Sequence, residues 1–171
     1  CISSEKPMIF ERKNNPTTTQ EITEFEQSRG VRIPQDYKEF LLSFNGGYVD
    51  RRNDYFQVGS WNSFAVEELF GITKSPETSI STRRFTNFSD HVRAKLLQIG
   101  SASGEMIFMD LRESAAHGKI YIRAHDSSSN NPILIDDTGF EEAEDYEEAQ
   151  LFYPIADSFS EFIAMLGPEP E

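Results

Sequence analysis

The chain has 171 residues, including 14 Phe, 6 Tyr and 1 Trp, which is enough apolar material for one folded domain and excludes wholesale disorder. Its single cysteine excludes an internal disulfide and a Cys-rich zinc site. Its formal net charge of −13 argues against binding DNA or RNA through a basic face, because phosphate backbones would be repelled. No apolar run reaches the ~18–20 residues of a membrane span.

The first predicted elements are an irregular arm and a helix. Residues 1–17 are mostly polar, which is typical of an arm outside the domain. Thr18 is suited to cap a helix, and Glu21 three residues later completes a capping box. Gly30 provides the left-handed residue that commonly follows a helix, so the pattern predicts a helix between Thr18 and Gly30.

A second helix is predicted directly after the first. Pro34 fits its first turn, where a missing N–H costs nothing. Asn45-Gly46-Gly47 ends it, since Gly adopts the left-handed conformation at little cost. Between these limits the apolar residues recur at i, i+3, i+4 and i+7, which indicates one buried helical face: Tyr37, Phe40, Leu41 and Phe44.

The middle of the chain is typical of β-strands. Aromatic and β-branched runs alternate with Gly-rich and polar stretches, and the last run is predicted to be an edge strand because it contains Pro154. A short helix is also predicted near residues 81–88. The predicted strands are residues 55–58, 64–70, 96–100, 105–111, 119–124, 132–135 and 151–155.

A closing helix follows the strands. Ser158 is its predicted cap, Glu161 completes a second capping box, and Gly167-Pro168 ends it. Two helices, a run of strands and one helix make an α+β order rather than an alternating βαβ order. The domain is therefore assigned to residues 18–167, between the arm and a short tail at residues 168–171.

Acidic residues are concentrated in the last third of the chain. Residues 100–171 contain 16 acidic and 3 basic side chains, whereas residues 72–99 contain 2 acidic and 5 basic ones. A stretch at residues 136–148, called here the acidic segment, has no Lys or Arg and can steer a cationic partner. A solvated loop explains the same composition, and both interpretations stay open. Its acids are Asp136, Asp137, Glu141, Glu142, Glu144, Asp145, Glu147 and Glu148.

The sequence lacks the usual motifs of an enzyme. There is no phosphate-binding loop and no dinucleotide fingerprint. Residues 100–104 resemble a nucleophile elbow, but Ala102 occupies the position that must be Ser. The three histidines have no metal-binding spacing: His91, His117 and His125. We therefore expect no catalytic activity, no metal and no cofactor. One further hypothesis is an enzyme that uses a pair of carboxylates, since the chain has 29 acidic residues.

Three stretches, in the same order, resemble the SMI1/KNR4 family of the SUKH superfamily. Residues 22–47, ITEFEQSRGVRIPQDYKEFLLSFNGG, are similar to its two helices joined by [LI]-P-x-[DE]-Y and ended by N-G-G. Residues 96–126 resemble its strand pair, and residues 155–166, IADSFSEFIAML, its closing helix. The resemblance implies an α+β fold in which helices pack on one side of a curved, mainly antiparallel sheet.

The same resemblance implies a non-enzymatic role. Bacterial members are largely immunity proteins that bind a cognate protein toxin, very often a basic nuclease domain, and fungal relatives are regulators. The first hypothesis is therefore a toxin-neutralising protein that acts by direct occlusion, and the alternative is an intracellular scaffold of the same family. The family's contact surfaces vary, so candidate partner-binding residues come from charge alone: the acidic segment, then Asp50 and Asp54 after the Gly46-Gly47 turn.

Location and assembly are also expectations. We expect a cytoplasmic monomer or weak homodimer that binds neither nucleic acid nor membrane. Cys1 leaves one alternative open, since a mature bacterial lipoprotein begins with a lipidated cysteine.

Overall fold

The computed structural model describes residues 10–49, 54–58, 62–74, 79–80, 96–115, 117–123 and 152–170. The described residues contain three helices: α1 Thr19–Arg29, α2 Gln35–Ser43 and α3 Phe159–Met165. They also contain eight strands: β1 Phe10–Lys13, β2 Gly47–Val49, β3 Tyr55–Val58, β4 Asn62–Leu69, β5 Leu96–Ala102, β6 Glu105–Asp110, β7 Ile120–Arg123 and β8 Phe152–Ala156.

The strands form one curved, open sheet in the order β1-β2-β4-β5-β6-β7-β8. Each pairing between neighbouring strands is antiparallel, and β3 pairs with the first half of β4 outside this path. Together with the three helices this confirms the predicted α+β class. The sheet has two ends. One carries the β5–β6 turn at Ser103-Gly104, called here the turn end, and the other carries the first turns of α2 and α3, called here the cap end.

Local capping sets the limits of α1 and α3, as predicted. The hydroxyl of Thr18 accepts a hydrogen bond from the N–H of Glu21 at 3.1 Å, and that of Ser158 accepts one from the N–H of Glu161 at 3.1 Å. Gly30 ends α1 with a φ of 64°, in the left-handed region that favours glycine. These contacts satisfy N–H and C=O groups that helix ends otherwise leave without partners.

The core lies between the sheet and the helices. Strands β5 to β7 are buried on both faces, and the predicted stripe on α2 faces the core with Tyr37, Phe40 and Leu41 buried. An aromatic cluster joins three elements, since the Phe159 ring lies 4.8 Å from Tyr37 and Phe162 lies 5.4 Å from Phe56. Such ring pairs add to the free energy gained from burial alone.

Two strands differ from the expectation. Residues 10–13 were assigned to an irregular arm, but they form β1 and pair with β2 as an outer strand of the sheet. The strand β2 itself was not predicted, because its Gly47 also belongs to the turn that ends α2. The helix predicted near residues 81–88 and the strand predicted at residues 132–135 lie outside the described residues.

Candidate interaction surface

The acidic segment is inserted between two neighbouring strands of the sheet. Strand β7 ends at Arg123 and β8 begins at Phe152, and these two residues are partners in the antiparallel register. Since β8 is the last strand in the sheet order, Arg123 and Phe152, which flank the insertion, lie at one outer corner of the sheet. This corner lies at the turn end, because Arg123 also pairs with Met106, next to the β5–β6 turn.

The loop that contains Asp50 and Asp54 is attached at the same end. Strand β2 runs from Gly47, opposite Leu69, towards the turn end, where its last residue is Val49. Asp54 directly precedes β3, and its carbonyl accepts a hydrogen bond from the N–H of Val66 at 2.8 Å. The two acidic regions suggested by the sequence therefore have their attachment points at one end of the sheet.

Asp54 needs a correction as a surface residue. We expected it to be a partner-binding residue on a loop, but its side chain is only 2% exposed. The cause is its position, since backbone pairing with β4 extends one residue beyond β3 and draws Asp54 into the sheet. A partner could not reach this carboxylate without moving its surroundings, so Asp54 leaves the proposed contact set. Asp50 and the acidic segment lie outside the described residues, and their roles stay predictions.

The Asn45-Gly46-Gly47 motif has a structural role. Asn45 is fully buried with a φ of 49°, and its side chain joins two distant chain segments. Its Nδ2 donates to the carbonyls of Asn15 and Ile72, each at 2.8 Å, and its Oδ1 accepts from the N–H of Ile72 at 2.9 Å. A Cβ on Gly71 would overlap the Asn45 carbonyl, so the close approach needs glycine there. The motif therefore fastens the end of α2 to the sheet.

A second motif has a similar role at the cap end. The Oδ2 atom of Asp36, in the first turn of α2, accepts hydrogen bonds from the N–H and the hydroxyl of Ser160, at 2.9 and 3.0 Å. Its Oδ1 accepts from the N–H of Tyr37 at 2.8 Å. One carboxylate thus satisfies the first turns of α2 and α3, where a negative charge is favourable.

The turn between β6 and β7 packs beside this motif. The guanidinium of Arg32 and the carboxylate of Glu113 form two hydrogen bonds, at 3.1 and 3.0 Å, in an exposed pair. The Nε2 atom of His117 lies 2.7 Å from the carbonyl oxygen of Arg32, and Gly118, with a φ of 88°, lies against Pro34. The residues of the P-x-D-Y motif and of the β6–β7 turn are therefore explained by packing.

The buried Tyr37 hydroxyl is not matched by a hydrogen-bond acceptor or donor. Tyr37 is 1% exposed, and no partner for its hydroxyl is found among the described residues. Burial raises the pKa of this hydroxyl well above its usual range, since the anion would be desolvated. The hydroxyl is thus a cost to stability.

Replacing Tyr37 with phenylalanine is expected to raise the free energy of unfolding by about 1 kcal/mol. The buried hydroxyl loses its hydrogen bonds to water on folding and gains no hydrogen bond in the protein, and phenylalanine avoids this loss. Urea unfolding measures the change as a higher midpoint at an unchanged slope. Tyr153 is also buried, but its hydroxyl is not among the buried polar groups that lack a partner, so its phenylalanine variant provides the matched control and should not gain stability. A less stable Tyr37→Phe protein would contradict the interpretation.

Over the described ranges, no group of three or more His, Cys, Asp or Glu side chains is placed to hold a metal ion. None of the helices described is long and apolar enough to cross a membrane.

Known proteins resemble this chain over a long stretch in one case and over a short stretch in another. Residues 16–165 match the SMI1 / KNR4 family (SUKH-1). A stretch of 32 residues is 56% identical to the protein YnaB of Bacillus subtilis (strain 168), which is described as uncharacterized. That stretch is 19% of this chain and 22% of YnaB, so the similarity covers about a fifth of each protein.

Proposed function

We propose, from the premise that the chain belongs to the SMI1/KNR4 family (SUKH-1), that it is an immunity-type protein that neutralises a cognate toxin by direct occlusion. The proposed toxin is a basic nuclease domain, and the proposed contact is the acidic segment with Asp50. The proposal includes a cytoplasmic location and a monomeric or weakly dimeric state.

The observation that carries the proposal is the insertion of a strongly acidic stretch between two paired strands. Strands β7 and β8 hold both ends of the insertion at one corner of the sheet, through the register pair Arg123 and Phe152. Eight acids within residues 136–148 have no Lys or Arg among them. The scaffold around this corner is well packed, with β5 to β7 buried on both faces, so the insertion has a rigid base.

Charge complementarity gives the mechanism. A nuclease carries Lys and Arg where it holds phosphates, and that cleft attracts an acidic protein as it attracts a nucleic acid. Long-range attraction accelerates the encounter, and the docked protein then covers the cleft, so that substrate cannot enter. Occlusion requires a stoichiometric complex and no turnover. The association rate should therefore fall as salt screens the charges.

Co-purification from the native host, followed by mass spectrometry, tests whether the partner exists. We expect a basic toxin domain in a one-to-one ratio with this chain. Recovery of host regulatory proteins instead, under conditions where the toxin is expressed, would favour the scaffold role of the fungal relatives. Metal-dependent hydrolysis by the purified chain would contradict the non-enzymatic assignment.

Charge reversal tests the proposed surface. Changing Glu141, Glu142, Glu144 and Asp145 to lysine is expected to lower the association rate with the toxin by about tenfold or more at low salt, because electrostatic steering is lost. Stopped-flow association at several salt concentrations measures this rate. The matched control has the same net charge, with four exposed acids away from the turn end changed to lysine: Glu24, Glu39, Asp157 and Glu161.

The two variants separate local from overall charge. A large effect of the first variant alone supports contact through the acidic segment. Equal effects would assign the steering to the net charge of the whole protein, and an association rate independent of salt would exclude steering altogether.

A further inference from the structure

The outer edge of β3 is closed by the residues that follow α3. The N–H of Tyr55 donates to the carbonyl of Gly167 at 3.0 Å, and the N–H of Gly167 donates to the carbonyl of Tyr55 at 2.9 Å. This is an antiparallel bridge on the side of β3 away from β4. The N–H and C=O groups of successive residues in a strand point to opposite edges. Gln57 lies two residues after Tyr55 and is exposed, so its N–H and C=O also point away from β4.

The residues on either side of Gly167 limit the bridge to a single residue pair. Leu166 ends α3 in an extended conformation with a ψ of 133°, which brings Gly167 alongside Tyr55. In the antiparallel register the residue opposite Gln57 is Met165, which still belongs to α3, so the added strand cannot extend along β3. Edge strands with unpaired N–H and C=O groups otherwise pair readily with another chain, and short pairings and prolines are known ways to prevent it.

We infer that residues 166–168 form a strap whose role is to prevent a second copy of this chain from pairing through β3. With the strap displaced, Tyr55 and Gln57 present two outward N–H and C=O pairs. Two such edges fit each other antiparallel about a two-fold axis, which is the arrangement expected of a symmetric dimer. This inference concerns self-association and does not depend on the proposed toxin-binding role.

A single substitution opens the strap. Gly167→Pro removes the N–H that donates to Tyr55, and Leu166 already has the extended backbone that a following proline requires. Gly167→Ala is the matched control, because it keeps the N–H and no heavy atom lies within 4 Å of an added Cβ. A chain ending at Leu166 removes the strap altogether.

Light scattering after size exclusion, over a concentration series, gives the oligomeric state of each variant. We expect the wild type and Gly167→Ala to stay monomeric at concentrations where Gly167→Pro and the shortened chain approach twice the monomer mass. The association constant for dimerisation of these two variants should be at least tenfold higher than that of the wild type. Amide hydrogen exchange at Tyr55 should be faster in monomeric Gly167→Pro than in Gly167→Ala, because the bridge has lost one of its two hydrogen bonds and opens more often.

A second substitution identifies the edge. Gln57→Pro removes an outward N–H of β3 without removing a hydrogen bond to β4, so adding it to Gly167→Pro should restore the monomer. Association that persists in this double variant would overturn the inference, because the contact would then lie elsewhere. Monomeric behaviour of both Gly167→Pro and the shortened chain, or a wild type that already pairs through β3, would overturn it as well.

Discussion

Replacing Asn45 with alanine is expected to lower the free energy of unfolding by about 4 kcal/mol, the largest effect of any single change discussed. The side chain is fully buried and makes three hydrogen bonds to backbone groups of Asn15 and Ile72. Each of those backbone groups would lose its hydrogen bond to the buried Asn45 side chain. Alanine also fits poorly at a φ of 49°, which adds a smaller backbone cost.

Urea unfolding and two further variants separate these contributions. Asn45→Gly accepts the backbone conformation, so its loss of stability reports the side-chain hydrogen bonds without the backbone strain of alanine, together with the added freedom of glycine in the unfolded chain. Asn15→Ala removes an exposed side chain and leaves the backbone carbonyl that Asn45 binds, so it should change stability by less than about 0.5 kcal/mol. If Asn45→Ala lowered the free energy of unfolding as little as Asn15→Ala, the hydrogen bonds of Asn45 could not be what holds the end of α2 against the sheet.

Replacing Asp36 with alanine is expected to cost about 3 kcal/mol, because one carboxylate accepts hydrogen bonds in the first turns of both α2 and α3. The loss should be uneven along the chain. Ser160 loses the acceptor of its N–H and the partner of its hydroxyl, so amide exchange should accelerate most in the first turn of α3.

Asp157 provides the control for Asp36. It lies just before the Ser158 cap, is exposed, and its alanine variant removes one negative charge from the same end of α3. It should cost no more than about 0.5 kcal/mol. Equal losses in the two variants would mean that general helix electrostatics, and not the hydrogen bonds of Asp36, hold α3 in place.

The elements predicted well from the sequence are those with local signals. Thr18 and Ser158 cap their helices through bonds that span three residues, and the left-handed Gly30 is a local requirement too. Strand β3 was predicted with its observed limits, because its aromatic and β-branched residues are bounded by turn residues. The strands β1 and β2 were missed, since pairing with distant residues decides them more than composition does.

The same contrast applies to the candidate surface. The composition of the sequence revealed the acidic segment, but it did not predict which strands flank the segment or where in the sheet those strands lie. Asp54 had the appearance of a loop residue, and its burial follows from pairing with Val66 on another strand. Asp36 and Ser160 are 124 positions apart, so their contact had no local signal. Only the resemblance of both segments to one family suggested that they belong together.

The register pair Arg123 and Phe152 also bears on how such a protein changes during evolution. The fold fixes the distance between the two ends of the insertion, whatever number of residues connects them. The entropy of closing a connection grows only with the logarithm of its length, so a doubling costs about 0.6 kcal/mol. Residues can thus be gained, lost or exchanged there while the packing of β7 on β8 is kept. A different binding surface can therefore evolve at this corner while the core of the domain stays the same.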